Sequence, residues 1–144
     1  SAARLKTNSN ENYSNMRTLT SKLFCMAAAV TLTASLSSCE EEDMQTDYLC
    51  SRIWTDEWTD EYGTYYYQEI SFYPDYTGKD YVYSEDASTG LGSERVYYFD
   101  WDWESYSSIY MRYPDGESYM DNVSLGQNKL DCKLDGTWVT FIGK

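Results

Sequence analysis

Short runs of aromatic and β-branched residues alternate with turn residues along the chain from Cys50 onward. No stretch of this region keeps the spacing of apolar positions that is typical of a helix. Regularly spaced short runs bounded by glycine, proline, asparagine and aspartate predict an all-β protein, and Asp135-Gly136 favours a type I′ hairpin turn. We predict an antiparallel up-and-down meander of about eight strands, at residues 50–58, 64–73, 78–84, 94–103, 107–113, 117–125, 129–134 and 137–142.

Alternation along these strands predicts which side chains form the core, because residues two apart point to the same side of a sheet. Phe99, Trp101 and Trp103 share one face, and the carboxylates between and after them share the other. The aromatic face is therefore expected inside and the carboxylates in water. The same reasoning predicts these further core residues: Ile70, Phe72, Val82, Ile109, Met111, Tyr113, Val123, Leu125, Leu130, Cys132, Leu134, Val139 and Phe141.

The N-terminal part has the layout of a secretory signal. Arg17 and Lys22 precede an apolar run from Leu23 to Ala34. This run is shorter than the roughly 20 residues that span a bilayer, so a cleaved signal is favoured over a permanent transmembrane helix. Residues 1–15 are polar and are expected to lie upstream of the true start at Met16. The signal peptide is expected to cover residues 16–38.

The residues Leu36-Ser37-Ser38-Cys39 resemble the lipobox of bacterial lipoproteins, which implies acylation of Cys39. The alternative is that Cys39 is incidental and the signal is cut elsewhere. The acidic run at 40–43 looks like the export tag of surface lipoproteins in gut Bacteroidetes, and an acidic tether over 39–48 explains it equally well. The resemblance implies a bacterial envelope protein held by lipid on the outer membrane, with surface exposure expected.

Charge and composition exclude several functions. The 144 residues contain 24 acidic and 11 basic side chains, giving a net charge of −13, and they contain no histidine. We therefore expect no nucleic-acid partner and no direct attraction to anionic membranes. Without histidine, Ser-His-Asp catalysis and His-ligated zinc are unavailable. The four cysteines form no C-x-x-C pair, and no metal or other cofactor is expected.

Trp54, the segment Phe72 to Gly78, Phe99-Asp100-Trp101, the hairpin Ile109 to Gly116, and Asn128-Lys129-Leu130 together resemble the small lipocalin-like domains of Bacteroidetes lipoproteins. The resemblance covers nearly all of the chain after Cys39 and implies a small antiparallel barrel over residues 49–144, without naming a ligand. Lipocalins carry Gly-x-Trp on the first strand, where this chain has Arg52-Ile53-Trp54.

Two kinds of acidic site are weighed against a plain solvated surface. Asp100, Asp102 and Glu104 could offer oxygen ligands to Ca²⁺, but no calcium loop accompanies them, so a solvated outer face is favoured. Paired carboxylates could hydrolyse a glycoside only across a cleft, which a barrel of this size rarely offers. We therefore predict that the protein is not an enzyme.

Aromatic residues exceed what one face of each strand can bury, since the chain has 16 tyrosines and 5 tryptophans. Exposed rings can stack on sugars or proteins, whereas tyrosine also suits half-buried strands for structural reasons alone. If a site exists, we expect it to be an outer or rim patch drawn from Trp58, Tyr65, Tyr67, Tyr81 and Tyr83.

Two functions follow from different classes. One is a non-enzymatic binding lipoprotein for a small hydrophobic molecule, a glycan or an envelope protein, and the other is an assembly accessory of a larger outer-membrane complex without its own ligand. The cysteines also leave two alternatives. Cys50 and Cys132 form a disulfide in an oxidising compartment, or both stay reduced and buried.

Overall fold

The computed structural model describes residues 37–144, with side chains from residue 42 onward. The predicted extension at 1–15 and nearly all of the predicted signal peptide lie outside the described residues, as does the side chain of Cys39. No helix within the described residues is long and apolar enough to cross a membrane.

Residues 37–144 form an all-β, eight-stranded antiparallel barrel with one short helix, which confirms the predicted class and strand number. Each strand pairs with the next along the chain, and β1 pairs with β8 to close the barrel. The elements are α1 (Ser37–Cys50), β1 (Ile53–Thr59), β2 (Tyr65–Phe72), β3 (Thr77–Glu85), β4 (Gly92–Ser105), β5 (Ser108–Tyr113), β6 (Gly116–Gly126), β7 (Lys129–Leu134) and β8 (Thr137–Gly143).

The predicted turn at Asp135-Gly136 is confirmed by backbone geometry. Both residues have positive φ, 48° and 86°, as a type I′ turn requires, and Leu134 pairs with Thr137 across them. Gln127 and Asn128 also have positive φ, 43° and 62°, in the β6–β7 turn. These positive φ angles reverse the chain direction, so that β7 pairs with β6 and β8 pairs with β7.

Alternation correctly predicted most of the core. Phe99, Trp101 and Met111 lie inside the barrel, whereas Asp100 and Asp102 are exposed on its outer wall. Rings pack edge-on at the centre, with Phe72 contacting Phe99 at 5.6 Å and Trp101 at 5.4 Å between ring centroids. Phe99 also lies directly against Gly78 on the neighbouring strand, where a Cβ atom would stand 2.2 Å from the ring.

Val123 and Leu125 were expected in the core and are only partly buried against it. β6 contains a bulge between Asp121 and Ser124, where Asn122 adopts a positive φ of 52°. Before the bulge Met120 points inward, and after it Val123 and Leu125 do. Strict alternation cannot place all three inside, so the extra residue resets the pattern.

The helix α1 was not predicted, and it includes the segment interpreted as an acidic tether, 39–48. Its last turn packs against the barrel, with Leu49 fully buried. The Leu49 carbonyl accepts a hydrogen bond from the Trp54 indole at 2.9 Å, and Thr46 accepts one from Trp103 at 2.9 Å. Because the helix extends through Cys50, the first strand begins at Ile53 rather than at residue 50.

Candidate functional site

Four of the five predicted site residues lie together on the outer wall of β2 and β3. Tyr67 pairs directly with Tyr83 across the two strands, Tyr65 pairs with Glu85, and Glu69 pairs with Tyr81. Since positions two apart share a face, Tyr65, Tyr67, Tyr81 and Tyr83 form one surface, which we call the tyrosine face. All four side chains are partly exposed.

Trp58 does not join this surface. The register pairs Glu57 with Tyr67 and Trp58 with Tyr66, so Trp58 points to the opposite side of the sheet. Its ring stacks on Tyr66 with centroids 5.2 Å apart and planes inclined by 12°. The sequence placed Trp58 and the tyrosines in one patch because the pairing register between β1 and β2 was not known.

The hydroxyls of the tyrosine face are held by glutamates. Tyr65 donates to Glu57 at 3.0 Å, Tyr67 to Glu69 at 2.7 Å, and Tyr83 to Glu85 at 2.8 Å. The hydrogen bonds to Glu57 and Glu85 are the main reason that the pKa values of Tyr65 and Tyr83 are raised. These phenols therefore stay protonated at neutral pH, and the face presents aromatic rings beside carboxylates.

A cation of the chain already lies on this face. The Lys144 ammonium stands 5.2 Å from the centroid of the Tyr67 ring and donates a 3.1 Å hydrogen bond to its hydroxyl. The pKa of Lys144 is raised, chiefly by the hydrogen bond to Tyr67 and with contributions from Glu69 and Glu57. Aromatic faces flanked by carboxylates favour ammonium and guanidinium groups, and the contact with Lys144 shows this property in the structure.

The barrel interior is packed over most of its length. Trp54, Ile109, Met111, Leu130 and Phe141 have no accessible surface. A side chain without accessible surface borders no space that a water molecule could enter, so the interior around these residues has no room for a ligand.

Asp80, Gln68 and Tyr113 form a hydrogen-bonded cluster inside this core. Asp80 is fully buried and accepts hydrogen bonds from Gln68 at 2.9 Å and from Tyr113 at 3.1 Å. Burial raises the pKa of Asp80, while the two hydrogen bonds act in the opposite direction. The Oε1 atom of Gln68 is buried without a hydrogen-bond partner. This cluster was not predicted from the sequence, although Asp80 lies two residues from Val82, which was predicted to point inward.

A shallow cleft of about 700 Å³ lies where β4 and β5 meet. Its wall includes Tyr98 and Phe99 from β4, Tyr113 and Pro114 from the end of β5, and the exposed ion pair between Asp100 and Arg112, whose charged atoms are 2.8 Å apart. The cleft is open to solvent and reaches the buried core side chains of Phe99 and Tyr113. No local pattern of residues predicts the cleft, because it depends on where two strands separate.

The carboxylates of β4 and the cysteines Cys50 and Cys132 were the other residues considered for a site or a disulfide. Asp100, Asp102 and Glu104 are exposed, and no three His, Cys, Asp or Glu side chains converge as metal ligands in the part of the chain that the structure describes. Cys132 is buried on β7, Cys50 is partly buried at the end of α1, and no disulfide joins these two residues. Cys50 was expected on a strand and instead ends the helix.

Comparisons with known proteins identify no relative of this chain. The structure itself establishes an eight-stranded antiparallel barrel with a cluster of aromatic side chains in its core. No protein-family model matches the chain, and no curated protein or solved structure matches it.

Proposed function

We propose that the protein is a lipid-anchored bacterial envelope lipoprotein that acts by binding and not by catalysis, through the tyrosine face of its barrel. The anchor is inferred from the motif Leu36 to Cys39 behind a short apolar run. Binding at the outer wall is inferred because interior positions such as Trp54 and Met111 leave no space for a small molecule. The outer membrane, with the barrel exposed at the surface, is the proposed location.

The observation that carries the proposal is the contact between Lys144 and Tyr67. It indicates that the tyrosine face accepts a basic side chain, and Tyr65, Tyr81 and Tyr83 offer similar rings beside glutamates. We infer that the partner is an envelope protein presenting lysine or arginine. The net charge of −13 would speed its approach, because opposite charges steer encounter.

The test is a titration of the full chain with a synthetic tetralysine peptide at low salt, followed by tyrosine NMR signals. We expect weak binding that a Tyr81→Ala/Tyr83→Ala double variant loses. The matched control is Tyr110→Ala/Tyr119→Ala, because this pair also lies on the outer wall, 5.2 Å apart between ring centroids, and is also hydrogen-bonded to a glutamate, Glu117. Equal binding by both double variants would show unspecific attraction to acidic surface and would contradict the proposal.

The same titration with soluble oligosaccharides separates the alternatives. Saturable binding of a sugar, lost in the Tyr81/Tyr83 variant while tetralysine shows no effect, would replace the protein partner with a glycan. Flat traces with both probes would favour the assembly accessory without its own ligand.

The anchor has its own test. We expect the chain expressed in a lipoprotein-competent bacterium to yield a mature N-terminus at Cys39 that carries acyl chains, as measured by mass spectrometry. An unmodified N-terminus at another residue would contradict the lipid anchor, and protection of the barrel from protease added to whole cells would contradict its surface exposure.

A further inference from the structure

The strand β4 has an open edge over part of its length. β4 pairs with β3 from Gly92 to Asp100, but it pairs with β5 only from Asp100 onward. Residues 92–99 therefore have a neighbouring strand on one side only within the described part of the chain. An edge of this length can template the addition of another strand.

The backbone groups of the edge point outward at alternate residues. Trp101 donates its N–H to Tyr76, on the β3 side, at 2.8 Å. Because N–H and C=O groups alternate between the two sides of an antiparallel strand, those of Glu94, Val96 and Tyr98 face the open side. Val96 is 45% exposed and Tyr98 is 66% exposed. The edge thus offers both unpaired backbone groups and apolar surface.

The sequence of the edge is complementary to itself. If two copies align their β4 edges antiparallel with Val96 opposite Val96, Glu94 of one copy faces Tyr98 of the other on the outer wall. This repeats pairs that the barrel already uses, since Tyr65 faces Glu85 and Tyr83 faces Glu94 across neighbouring strands. Such pairs of opposed side chains stabilise adjacent strands.

The other side of the edge is complementary in the same alignment. Arg95 of one copy faces Tyr97 of the second copy, and a guanidinium beside a tyrosine ring is a favourable contact. The outward backbone groups of Glu94, Val96 and Tyr98 fall opposite one another, which is the arrangement of hydrogen-bonded antiparallel pairs. One register therefore gives favourable side-chain pairs on both faces of the strands and also pairs their backbone groups.

The same register accounts for an exposed leucine. Leu91 directly precedes Gly92 and is 72% exposed. In this register, Gly92 of one copy lies opposite Asp100 of the other copy, where β5 begins to pair with β4. The cleft between Tyr98 and Pro114 lies at this point. Leu91 of each copy can therefore bury its side chain in the cleft of the other copy.

We propose that the protein forms a two-fold symmetric dimer in which the open edges of β4 pair through residues 93–99, with Leu91 of each copy seated in the cleft of the other. A closed two-fold contact uses the same surface on both copies, so each open β4 edge is covered by the other. The tyrosine face on β2 and β3 stays accessible, so the dimer does not depend on the function proposed above.

Salt should affect the dimer and the binding of a basic partner in opposite directions. Two chains of net charge −13 repel each other, and salt screens this repulsion. The dimer is therefore strengthened by salt, whereas attraction of a cationic peptide to the tyrosine face is weakened by it. Failure of one proposal can thus be told apart from failure of the other.

The test compares Val96 with Ile142 in the full chain. Both are 45% exposed, but Ile142 lies on β8 between paired strands. We expect Val96→Cys to form a disulfide-linked dimer under mild oxidation, because directly opposed residues have Cα atoms about 5.5 Å apart, a spacing that disulfides accept. Ile142→Cys should cross-link far less. Equal cross-linking of the two variants would overturn the proposal.

Sedimentation equilibrium supplies a second measurement that needs no cysteine. Val96→Lys places two like charges opposite each other at the two-fold axis, so we expect its dimer dissociation constant to rise by roughly tenfold or more. Ile142→Lys should leave this constant unchanged. A wild-type chain that is monomeric at every concentration and salt level, or equal effects of the two lysine variants, would also overturn the dimer.

Discussion

The hydroxyl of Tyr113 donates a 3.1 Å hydrogen bond to Asp80, a carboxylate with no accessible surface inside a mostly apolar barrel. Buried carboxylates are costly unless hydrogen bonds satisfy their oxygens. Tyr113 donates a hydrogen bond to Oδ2 and Gln68 donates one to Oδ1, so each oxygen of Asp80 has one donor. Each partner is therefore important for stability.

Replacing Tyr113 by phenylalanine tests this arrangement. The variant leaves Oδ2 of Asp80 buried without a donor, and we expect the free energy of unfolding to fall by about 1–3 kcal/mol. Tyr110→Phe removes a hydroxyl bonded to Glu117 on the exposed outer wall, and it should change stability by less than about 0.5 kcal/mol. Urea unfolding measures both, and equal losses would show that the Asp80 hydrogen bond is unimportant.

The stability of the barrel should depend on the ionisation of Asp80. Burial raises the pKa of Asp80 in the folded state above the value of 3.8 that applies when it is exposed. The folded state therefore binds the proton more tightly, and this contribution to stability is fully present below pH 3.8 and is lost as pH rises through the folded-state pKa. We expect the wild type to lose stability relative to Asp80→Asn over that range, measured by urea unfolding at a series of pH values. A difference that does not change with pH would contradict the raised pKa.

Gly78 should tolerate no side chain. A Cβ atom there would stand 2.2 Å from Phe99, so Gly78→Ala must displace a ring in the core. We expect a loss of about 1–3 kcal/mol in the free energy of unfolding, as is usual for overpacking. Gly116→Ala is the matched control, because nothing lies within 4 Å of its added Cβ. Thermal unfolding distinguishes them, and similar melting temperatures would mean that Phe99 moves freely.

Cys50 should react slowly with thiol reagents in the folded protein. Burial, together with the carboxylates of Asp47 and Asp75, raises the pKa of its thiol from 9.0 to about 11. At pH 8 the thiolate fraction falls by about a hundredfold, and only the thiolate is nucleophilic. We expect alkylation at Cys50, followed by peptide mass spectrometry, to be far slower in buffer than in denaturant, and equal rates would contradict the raised pKa.

The same measurement decides the predicted disulfide. In denaturant without reductant, alkylation of both Cys50 and Cys132 would show that the two thiols are reduced in protein exported to an oxidising compartment. Protection of both until reductant is added would show that they are joined.

The sequence by itself determined the class of fold, the number of strands and most of the core. These properties are local, because alternation of apolar residues and the positive φ of turns such as Asp135-Gly136 are set by neighbours along the chain. Phe99, Met111 and Leu130 were placed inside for this reason, and the structure confirms them.

Only the tertiary structure decided the features that involve distant residues. Trp58 is separated from Tyr67 by the register between β1 and β2, and Lys144 reaches Tyr67 only because the barrel closes. The docking of α1 and the open edge of β4 likewise depend on how elements pack and where strands separate. Pairing across the barrel is a property of the whole chain, so no local pattern of residues could have revealed it.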